Sequence, residues 1–249
     1  MRILESLILC FCLGIILFIS CGKNEIEIPD DAVFGYEYFP LEVGYEWVYA
    51  VDSVLIIQGG TKNKVSSSFI KEELIEILKD TETEKEYKIQ RSYRKDSISQ
   101  WRIRNIWTIR RDERRAIRNE GNISFVKLVF PAVDGAKWDG HIFFDDEKEF
   151  PVAADNLRIY KGWEYKINNV GSKSVGGILY LDVLDIAHID EFSFISKRFS
   201  TESYAKGIGL VERKMEIFDT QNGNESLPWI ERAEKGFQLT QTLVSFKKN

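Results

Sequence analysis

Cysteine and histidine are both scarce in this chain of 249 residues, which contains three cysteines and two histidines. The cysteines, Cys10, Cys12 and Cys21, all stand within the first 21 residues. The rest of the chain therefore has no thiol for a disulfide, for nucleophilic catalysis or for a metal site. His141 and His188 stand 47 residues apart, and no His-Glu-x-x-His pattern is present. We expect no metal site and no cofactor.

Catalytic motifs are absent as well. The chain has no Gly-x-Ser-x-Gly elbow and no phosphate-binding glycine-rich loop. Ser-x-x-Lys pairs such as Ser68/Lys71, Ser92/Lys95 and Ser203/Lys206 lack the companion elements that this spacing has in acyl enzymes. Carboxylates such as Asp145 and Asp146 could bind a hard cation or cleave a glycosidic bond, but a solvated acidic loop explains them equally simply. We expect no enzymatic activity, with a carboxylate-dependent hydrolase as the weakest alternative.

Long apolar runs are confined to the N-terminus. Arg2 precedes an uncharged run from Leu7 to Ile19, whose 13 residues would span about 20 Å as a helix. A membrane-spanning helix needs about 20 apolar residues, so this run has the length of a signal-peptide core. Residues 1–20 are therefore predicted to be a signal peptide, and no later stretch is long and apolar enough to span a membrane.

The signal ends in Ser20-Cys21-Gly22, and this junction resembles the lipobox of bacterial lipoproteins, although Phe18 stands where leucine is usual. In that class the signal is cut before the cysteine, whose sulfur carries a diacylglycerol and whose new amine is acylated, as by palmitate. The resemblance implies cleavage between Ser20 and Cys21 and lipidation of Cys21. Two or three acyl chains anchor a protein stably to a membrane.

The residues after the cysteine indicate where the protein is held. Residues 21–35 form a lipidated N-terminus and a short acidic tether. Gly22 replaces the aspartate that retains such proteins in the inner membrane, so we expect a lipid-anchored cell-envelope protein, most simply in the outer membrane, on its periplasmic or surface face. The net charge of −5 gives no reason to expect a nucleic-acid partner.

Period-two alternation dominates residues 36–249, which we predict to be one β-rich domain. Trp47, Tyr49 and Val51 share one face of the first alternating run. Both alternating sets of residues 178–186 are apolar, which predicts a strand buried on both faces. Residues 69–79 and 190–204 remain ambiguous between helix and strand. Turn signals separate the runs, and the strongest hairpin signal is Asn222-Gly223.

One internal echo suggests two similar halves, 36–129 and 130–249. Phe39-Pro40-x-x-x-Gly44-x-x-Trp47 recurs with identical spacing as Phe130-Pro131-x-x-x-Gly135-x-x-Trp138. The echo favours two β-units that begin with the same turn and aromatic residue, and a duplicated ligand-contacting unit is the alternative. We predict a mainly β fold, a curved and mostly antiparallel sheet or half-barrel built of two similar β-rich halves.

Three phrases of the sequence, FPLEVGYEWVY, ESYAKGIGLVERK and KGFQLTQTLVSF, together resemble a broad group of bacterial lipoproteins found in Bacteroidota. They come from both ends of the mature chain. The resemblance implies a curved, mostly antiparallel sheet. It implies no known activity and no catalytic residues.

A cluster of arginines interleaved with tryptophans is the strongest candidate ligand surface. Trp101, Trp107, Arg102 and Arg104 are the predicted contacts, and Trp101, Ile103, Trp107 and Ile109 are expected on one strand face opposite the arginines. The polar face of two amphipathic strands is the simpler interpretation. We expect a non-enzymatic binding or structural envelope protein with a glycan, lipid or protein partner. A half-barrel carrier of lipid or another apolar ligand is the alternative, and it would need a cavity of roughly 300–1,000 Å³.

Overall fold

The computed structural model describes residues 34–248, so the predicted signal peptide, Cys21 and most of the tether lie outside the described residues. Strands account for most of the described chain, together with two short 3-10 helices and the four-residue helix α1 (Trp229–Arg232). The strands are β1 (Glu46–Ile57), β2 (Lys62–Asp80), β3 (Glu84–Arg94), β4 (Arg102–Asp112), β5 (Arg115–Glu120), β6 (Ile123–Val129), β7 (Lys137–Trp138), β8 (Phe150–Val152), β9 (Asp155–Leu157), β10 (Tyr165–Val175), β11 (Ile178–Phe192), β12 (Ser196–Ala205), β13 (Gly209–Asp219) and β14 (Lys235–Lys247).

Twelve strands form one curved antiparallel sheet, which confirms the predicted mainly β fold. Their order is β6-β5-β4-β3-β2-β1-β14-β13-β12-β11-β10-β7, and β8 pairs with β9 in a separate hairpin. The strands before residue 130 are thus contiguous on one side of the β1–β14 ladder, and the later strands are contiguous on the other side. Within the described range, no helix has the length and apolarity to cross a membrane.

The two edges of the sheet come close to meeting. The backbone N–H of Val126 on β6 donates to the carbonyl of Gly140, just after β7, at 3.0 Å. The indole Nε1 of Trp138 on β7 donates to the carbonyl of Val126 at 2.8 Å. These two bonds tie the edge strands together, so the sheet encloses an interior.

The turns between neighbouring strands fall alternately at two ends of the sheet. We call one the tether end, with the turns at 81–83, 113–114 and 206–208, and the other the far end, with the turns at 58–61, 95–101 and 193–195. Phe34 lies at the tether end, where its carbonyl accepts from the N–H of Ala132 at 2.9 Å. The hydroxyl of Tyr36 donates to the carbonyl of Glu113 in the same region, at 3.0 Å. The tether therefore joins the sheet at one defined end.

Side chains and loop segments fill the interior. Buried residues of the strands, such as Tyr49, Leu74 and Ile167, form one continuous core with Phe39, which precedes β1, and Trp163, which precedes β10. The connection from β7 to β10 also contributes buried residues to this core, among them Val152 and Leu157 of the small hairpin and Ile159. The enclosed space is therefore occupied by the chain itself.

The echo found in the sequence is a repeated structural unit. Gly44 donates its N–H to the carbonyl of Leu74, whose own N–H donates to the carbonyl of Tyr45. In the second copy Gly135 and Ala136 form the same two bonds with Ile167. Both glycines have positive φ, 87° and 78°. The indoles of the two copies each donate to a backbone carbonyl as well, so the geometry agrees with the structural interpretation of the echo.

The structure resolves the two segments that were ambiguous between helix and strand, and it corrects two other local predictions. The ambiguous segment 69–79 is strand, within β2, and 190–204 forms the end of β11, its turn and most of β12. Asn222-Gly223 does not make a tight hairpin, because β13 and β14 are joined by residues 220–234, which include α1. Strand β11 is buried on both faces only in the second half of the predicted run, where Val183 and Leu184 are 0% exposed. In the first half Ile178, Leu179 and Leu181 are 50, 62 and 71% exposed.

The predicted face of β4 is also wrong, because a β-bulge at Arg91/Ser92 interrupts its pairing with β3. Beyond the bulge Ile103 is 66% exposed, whereas Trp107 and Ile109 pack on the core. A bulge shifts the alternation by one residue, so the residues before and after it face opposite sides of the sheet. The sequence pattern alone carries no sign of this interruption.

Gly236 provides a test of how tightly the strands pack. Its φ is +118°, and a β-carbon there would overlap the backbone carbonyl of Ile217 on β13. We expect Gly236→Ala to lower the free energy of unfolding by about 3 kcal/mol or more, because it adds steric overlap to backbone strain. Gly121→Ala is the matched control, because its φ is +71° but its β-carbon would meet open space. Its cost should be about 1–2 kcal/mol. Equal losses in urea denaturation would contradict the described packing.

Candidate functional site

Charged side chains lie in the interior, and they form two linked groups. In the first, Glu72 on β2 accepts bonds from Arg118 on β5 and from Nε of Arg91 on β3, the latter at 2.8 Å. The indole of Trp107 lies close to both guanidiniums, with its centroid 4.1 Å from the Cζ of Arg91 and 4.9 Å from that of Arg118. Glu72 is 2% exposed. Its charge is met entirely by protein groups.

In the second group Glu202 on β12 is the central acceptor. Nζ of Lys127 on β6 donates to it at 2.7 Å, and the guanidinium of Arg213 on β13 donates at 2.6 Å. The hydroxyl of Tyr204 donates to its other oxygen at 2.7 Å. Glu120 on β5 links the two groups, since its carboxylate lies 3.3 Å from Nε of Arg118 and 3.7 Å from Arg213.

We call these seven side chains the interior ion cluster: Glu72, Arg91, Arg118, Glu120, Lys127, Glu202 and Arg213. Burial by itself would raise the pKa of Glu72, but the guanidiniums of Arg118 and Arg91 lower that pKa to about 2. Burial opposes ionisation of Glu202 in the same way, and Arg213 and Lys127 hold its pKa well below the usual value. Against the same effect of burial, Arg118 and Arg213 lower the pKa of Glu120 as well, so the three carboxylates are ionised at neutral pH.

Ser200, His188 and Glu202 have the spacing of a nucleophile, a base and an acid. Oγ of Ser200 lies 2.9 Å from Nδ1 of His188, whose Nε2 is 3.8 Å from Glu202. Ser200 and His188 are only 1 and 2% exposed, and His188 stacks on Trp163 at 5.4 Å between ring centroids. The adjoining cavity has a volume of about 30 Å³, which admits water-sized molecules and no acyl substrate. Ser200, His188 and Glu202 are therefore part of the packed core.

The cavities next to these interior side chains are small. A second one, also of about 30 Å³, lies between Trp47, Tyr49 and Tyr204. Both are roughly a tenth of the smallest cavity that would suit a lipid carrier. A larger depression, of about 290 Å³, is a groove on the outer face lined by Lys173, Asp185 and Glu212 among others. Space for a ligand is therefore found outside the sheet.

The four predicted ligand contacts do not form one surface. Trp107 lies inside the sheet, next to Arg91 and Arg118 of the interior ion cluster. Trp101 lies on the outer side of the sheet, with the guanidinium of Arg94 4.3 Å from its ring centroid and Nζ of Lys71 5.9 Å away. Arg102 and Arg104 are exposed at the far end, where Arg104 lies 5.7 Å from the ring centroid of Tyr93.

The acidic run after His141 is tied into surface contacts. Glu147 pairs with Arg158 at 3.2 Å and with Lys161 at 2.8 Å, and an oxygen of Asp146 accepts the N–H of Gly162. Among the residues that the structure describes, no three His, Cys, Asp or Glu side chains are placed to hold a metal ion. His141 is buried, and its Nε2 lies 3.2 Å from the Tyr165 hydroxyl.

Comparisons with known proteins identify neither a family nor a specific role for this chain. No family model matches the chain, and no curated protein matches it. Among solved structures it is similar to a protein from Bacteroides fragilis named as an exported protein with a YmcC-like fold, at 11% identity and a TM-score of 0.42, over 84% of this chain and 98% of that one. A protein from Parabacteroides distasonis named as a lipoprotein gives 12% identity and a TM-score of 0.34, with the same coverage. Neither contributes a residue role to this chain.

The buried histidines predict an early loss of stability in acid. Burial lowers the pKa of His188 to about 3 and that of His141 to about 4. In the unfolded chain both imidazoles bind protons below about pH 6.5. The unfolded state therefore binds more protons between pH 4 and 6.5, so the free energy of unfolding should fall as the pH falls. Each histidine contributes a slope of about 1.4 kcal/mol per pH unit.

Urea denaturation between pH 6.5 and 4.5 measures this slope. His188→Gln should remove about half of the dependence above pH 5, because the carboxylates of the interior ion cluster begin to lose their contribution only near the unfolded pKa of about 4.3. The double variant with His141→Gln should leave the stability nearly flat down to that pH. An unchanged slope in His188→Gln would show that this imidazole is not held neutral.

Proposed function

We propose that this protein is a lipid-anchored, non-enzymatic protein of the cell envelope that acts through the outer surface of its domain. One observation carries the proposal: side chains fill the interior, and the ionisable groups there form ion pairs and hydrogen bonds with one another. The small interior cavities give no support to a lipid carrier. The buried Ser200–His188 pair and the surface-paired acids give none to a hydrolase.

The anchor follows from the sequence. Ser20-Cys21-Gly22 supports lipidation of Cys21, and the chain beyond it has no other cysteine. Gly22 in place of aspartate favours the outer membrane. The described chain begins at one end of the sheet, so a short N-terminal tether would hold the domain by its tether end.

The far end offers the best surface for a partner. Arg102 and Arg104 are exposed there and form no ion pair within residues 34–248. Ile103 stands between them in β4 and Ile98 is in the turn before that strand; they are 66 and 92% exposed. We define these four residues as the far-end patch. Unpaired guanidiniums next to apolar side chains suit a polyanion with a sugar backbone, because arginine binds carboxylates and sulfates bidentately while the carbon skeleton contacts the isoleucines. The proposed partner is therefore an anionic glycan of the envelope.

The anchor can be tested by fractionation. Cys21→Ala removes the acceptor sulfur, so the protein should move from the membrane pellet to the soluble fraction when the cells are broken. The structural reason is that the chain beyond residue 20 contains no apolar run long enough to span a membrane. Retention in the pellet after a high-salt wash would refute lipidation as the anchor. A conservative change at the neighbouring position, Gly22→Ala, should leave the distribution unchanged.

The far-end patch can be tested with polygalacturonate as the probe. We expect Arg102→Glu with Arg104→Glu to weaken binding at least tenfold, because each reversed charge replaces an attraction with a repulsion at about 1 kcal/mol or more per site. Binding by the unmodified protein should weaken as salt rises. Biolayer interferometry at two salt concentrations measures both.

The matched control is Arg114→Glu with Lys247→Glu, the same change in net charge at the tether end. Arg114 is exposed and Lys247 has a side chain 72% exposed. This variant should keep at least half of the affinity. Equal losses in the two variants would mean that only the net charge matters. No binding by the unmodified protein would remove anionic glycans of this kind from the proposal.

A further inference from the structure

An apolar hairpin projects beside the point where the tether joins the sheet. Strands β10 and β11 continue past β12, whose last partner pair is Val183–Ala205, so residues 178–182 have no β12 strand beside them. Leu179 and Leu181 are on the same face of β11 and are 62 and 71% exposed. Ile178 is 50% exposed at the turn. We call Ile178, Leu179 and Leu181 the hairpin patch.

Contacts on its other face hold the hairpin in a fixed position. Nζ of Lys173 on β10 lies 2.8 Å from Asp185, 2.8 Å from Oγ of Ser203 and 3.3 Å from Glu212. The turn reaches as far as β14, where a β-carbon at Gly176 would be 3.2 Å from the methyl group of Thr242. The hairpin is therefore held against the outer face near the tether end, and its apolar patch is exposed to solvent.

The base of the hairpin is bonded to the segment that follows the tether. The N–H of Lys206 donates to the carbonyl of Asp182 at 2.9 Å, while its Nζ pairs with Glu37 at 2.8 Å. Glu37 is three residues from Phe34, the first described residue. The hairpin patch is thus adjacent to the place where the chain leaves toward Cys21.

The length of that chain limits how far the patch can be from the membrane. Twelve residues, 22–33, separate Cys21 from Phe34, and fully extended they span at most about 40 Å. Exposed leucines in a group are costly in water, and a monomeric domain seldom leaves such a group uncovered without a use for it. A lipid bilayer is the one apolar phase that the anchor holds within reach.

We propose that the hairpin patch rests in the interfacial region of the bilayer that carries the lipid anchor, so that the domain stands on the membrane with its far end outward. This inference rests on the proposed lipidation of Cys21. It adds an orientation: Leu179 and Leu181 enter the headgroup–acyl boundary, and the far-end patch faces away from the lipid. The anchor supplies attachment, and the hairpin patch fixes which way the domain faces.

The mature lipidated protein in phosphatidylcholine–phosphatidylglycerol vesicles allows a direct test. Because its one remaining cysteine carries lipid, a new cysteine is the only free thiol and takes a single fluorescent label. We expect a label at Leu181→Cys to be quenched by nitroxide-bearing lipids, at a depth of about 5–10 Å inside the headgroup boundary. The control is Phe194→Cys, an equally exposed position of 70% at the far end, where no quenching is expected.

A second pair of variants separates the patch from the label. With the label at Val244→Cys, on the neighbouring strand β14, Leu179→Asp with Leu181→Asp should reduce the quenching at least twofold, because charged side chains leave the interfacial region. Val65→Asp with Ile98→Asp, the same change at the far end, should leave it unchanged. Val244, Val65 and Ile98 are all exposed.

The outcomes are distinct. If the protein floats with the vesicles but neither label is quenched, or both are quenched equally, the orientation is overturned while the anchor stands. If the protein does not float, the lipidation has failed and the orientation fails with it. If the emission of the label changes with the density of protein on the vesicles but not with the fraction of nitroxide-bearing lipid, the patch binds a second copy of the chain. That outcome also overturns the proposal.

Discussion

The constraint on which this structure depends is that charges buried inside the sheet must be paired with one another. Removing an ion from water costs several kcal/mol, and the cost is offset only when partners with good geometry replace the lost solvent. Glu72 bonds Arg91 and Arg118 within the first half of the sheet. Glu202 on β12 binds Lys127 of β6, from the other half. The pairs therefore join strands that are distant in sequence, and they require the sheet to curve until its two halves face each other.

This curvature decides what the rest of the molecule can do. Once β6 and β7 are tied by their two hydrogen bonds, the interior is a closed space, and the loop segments before β1 and before β10 fill it. A half-barrel that holds an apolar ligand needs the opposite arrangement, an interior lined by apolar side chains and left open. Here the same space holds seven charged groups and aromatic rings packed around them. Recognition of a partner is left to the turns and to the outer face.

The alternation of apolar and polar residues predicted the strands correctly. It predicted the wrong face for residues whose position depends on a neighbouring strand. Trp47, Tyr49 and Val51 are buried as predicted, since a strand repeats every two residues whatever its partner. The bulge at Arg91/Ser92 depends on the neighbouring strand, so the face of Ile103 could not be read from β4 alone. A charged residue at an inward position, such as Glu202 between Ser200 and Tyr204, is interpreted as solvent-exposed when only the sequence is known. Only the positions of Lys127 and Arg213 on other strands make it an interior residue.

The exposed leucines of β11 follow the same reasoning. An apolar residue on both faces of a strand indicates burial only if the sheet continues on either side, and beyond Val183 it does not, because β12 ends at Ala205. The apolar pattern of residues 178–181 therefore belongs to a surface, and Lys173 gives that surface one orientation by binding three groups on the outer face. A tether alone would leave the domain free to rotate. A rigid apolar hairpin next to the tether would limit that rotation. The apolar run of residues 178–181, which led to the wrong prediction of burial, is therefore the feature that would orient the domain on the membrane.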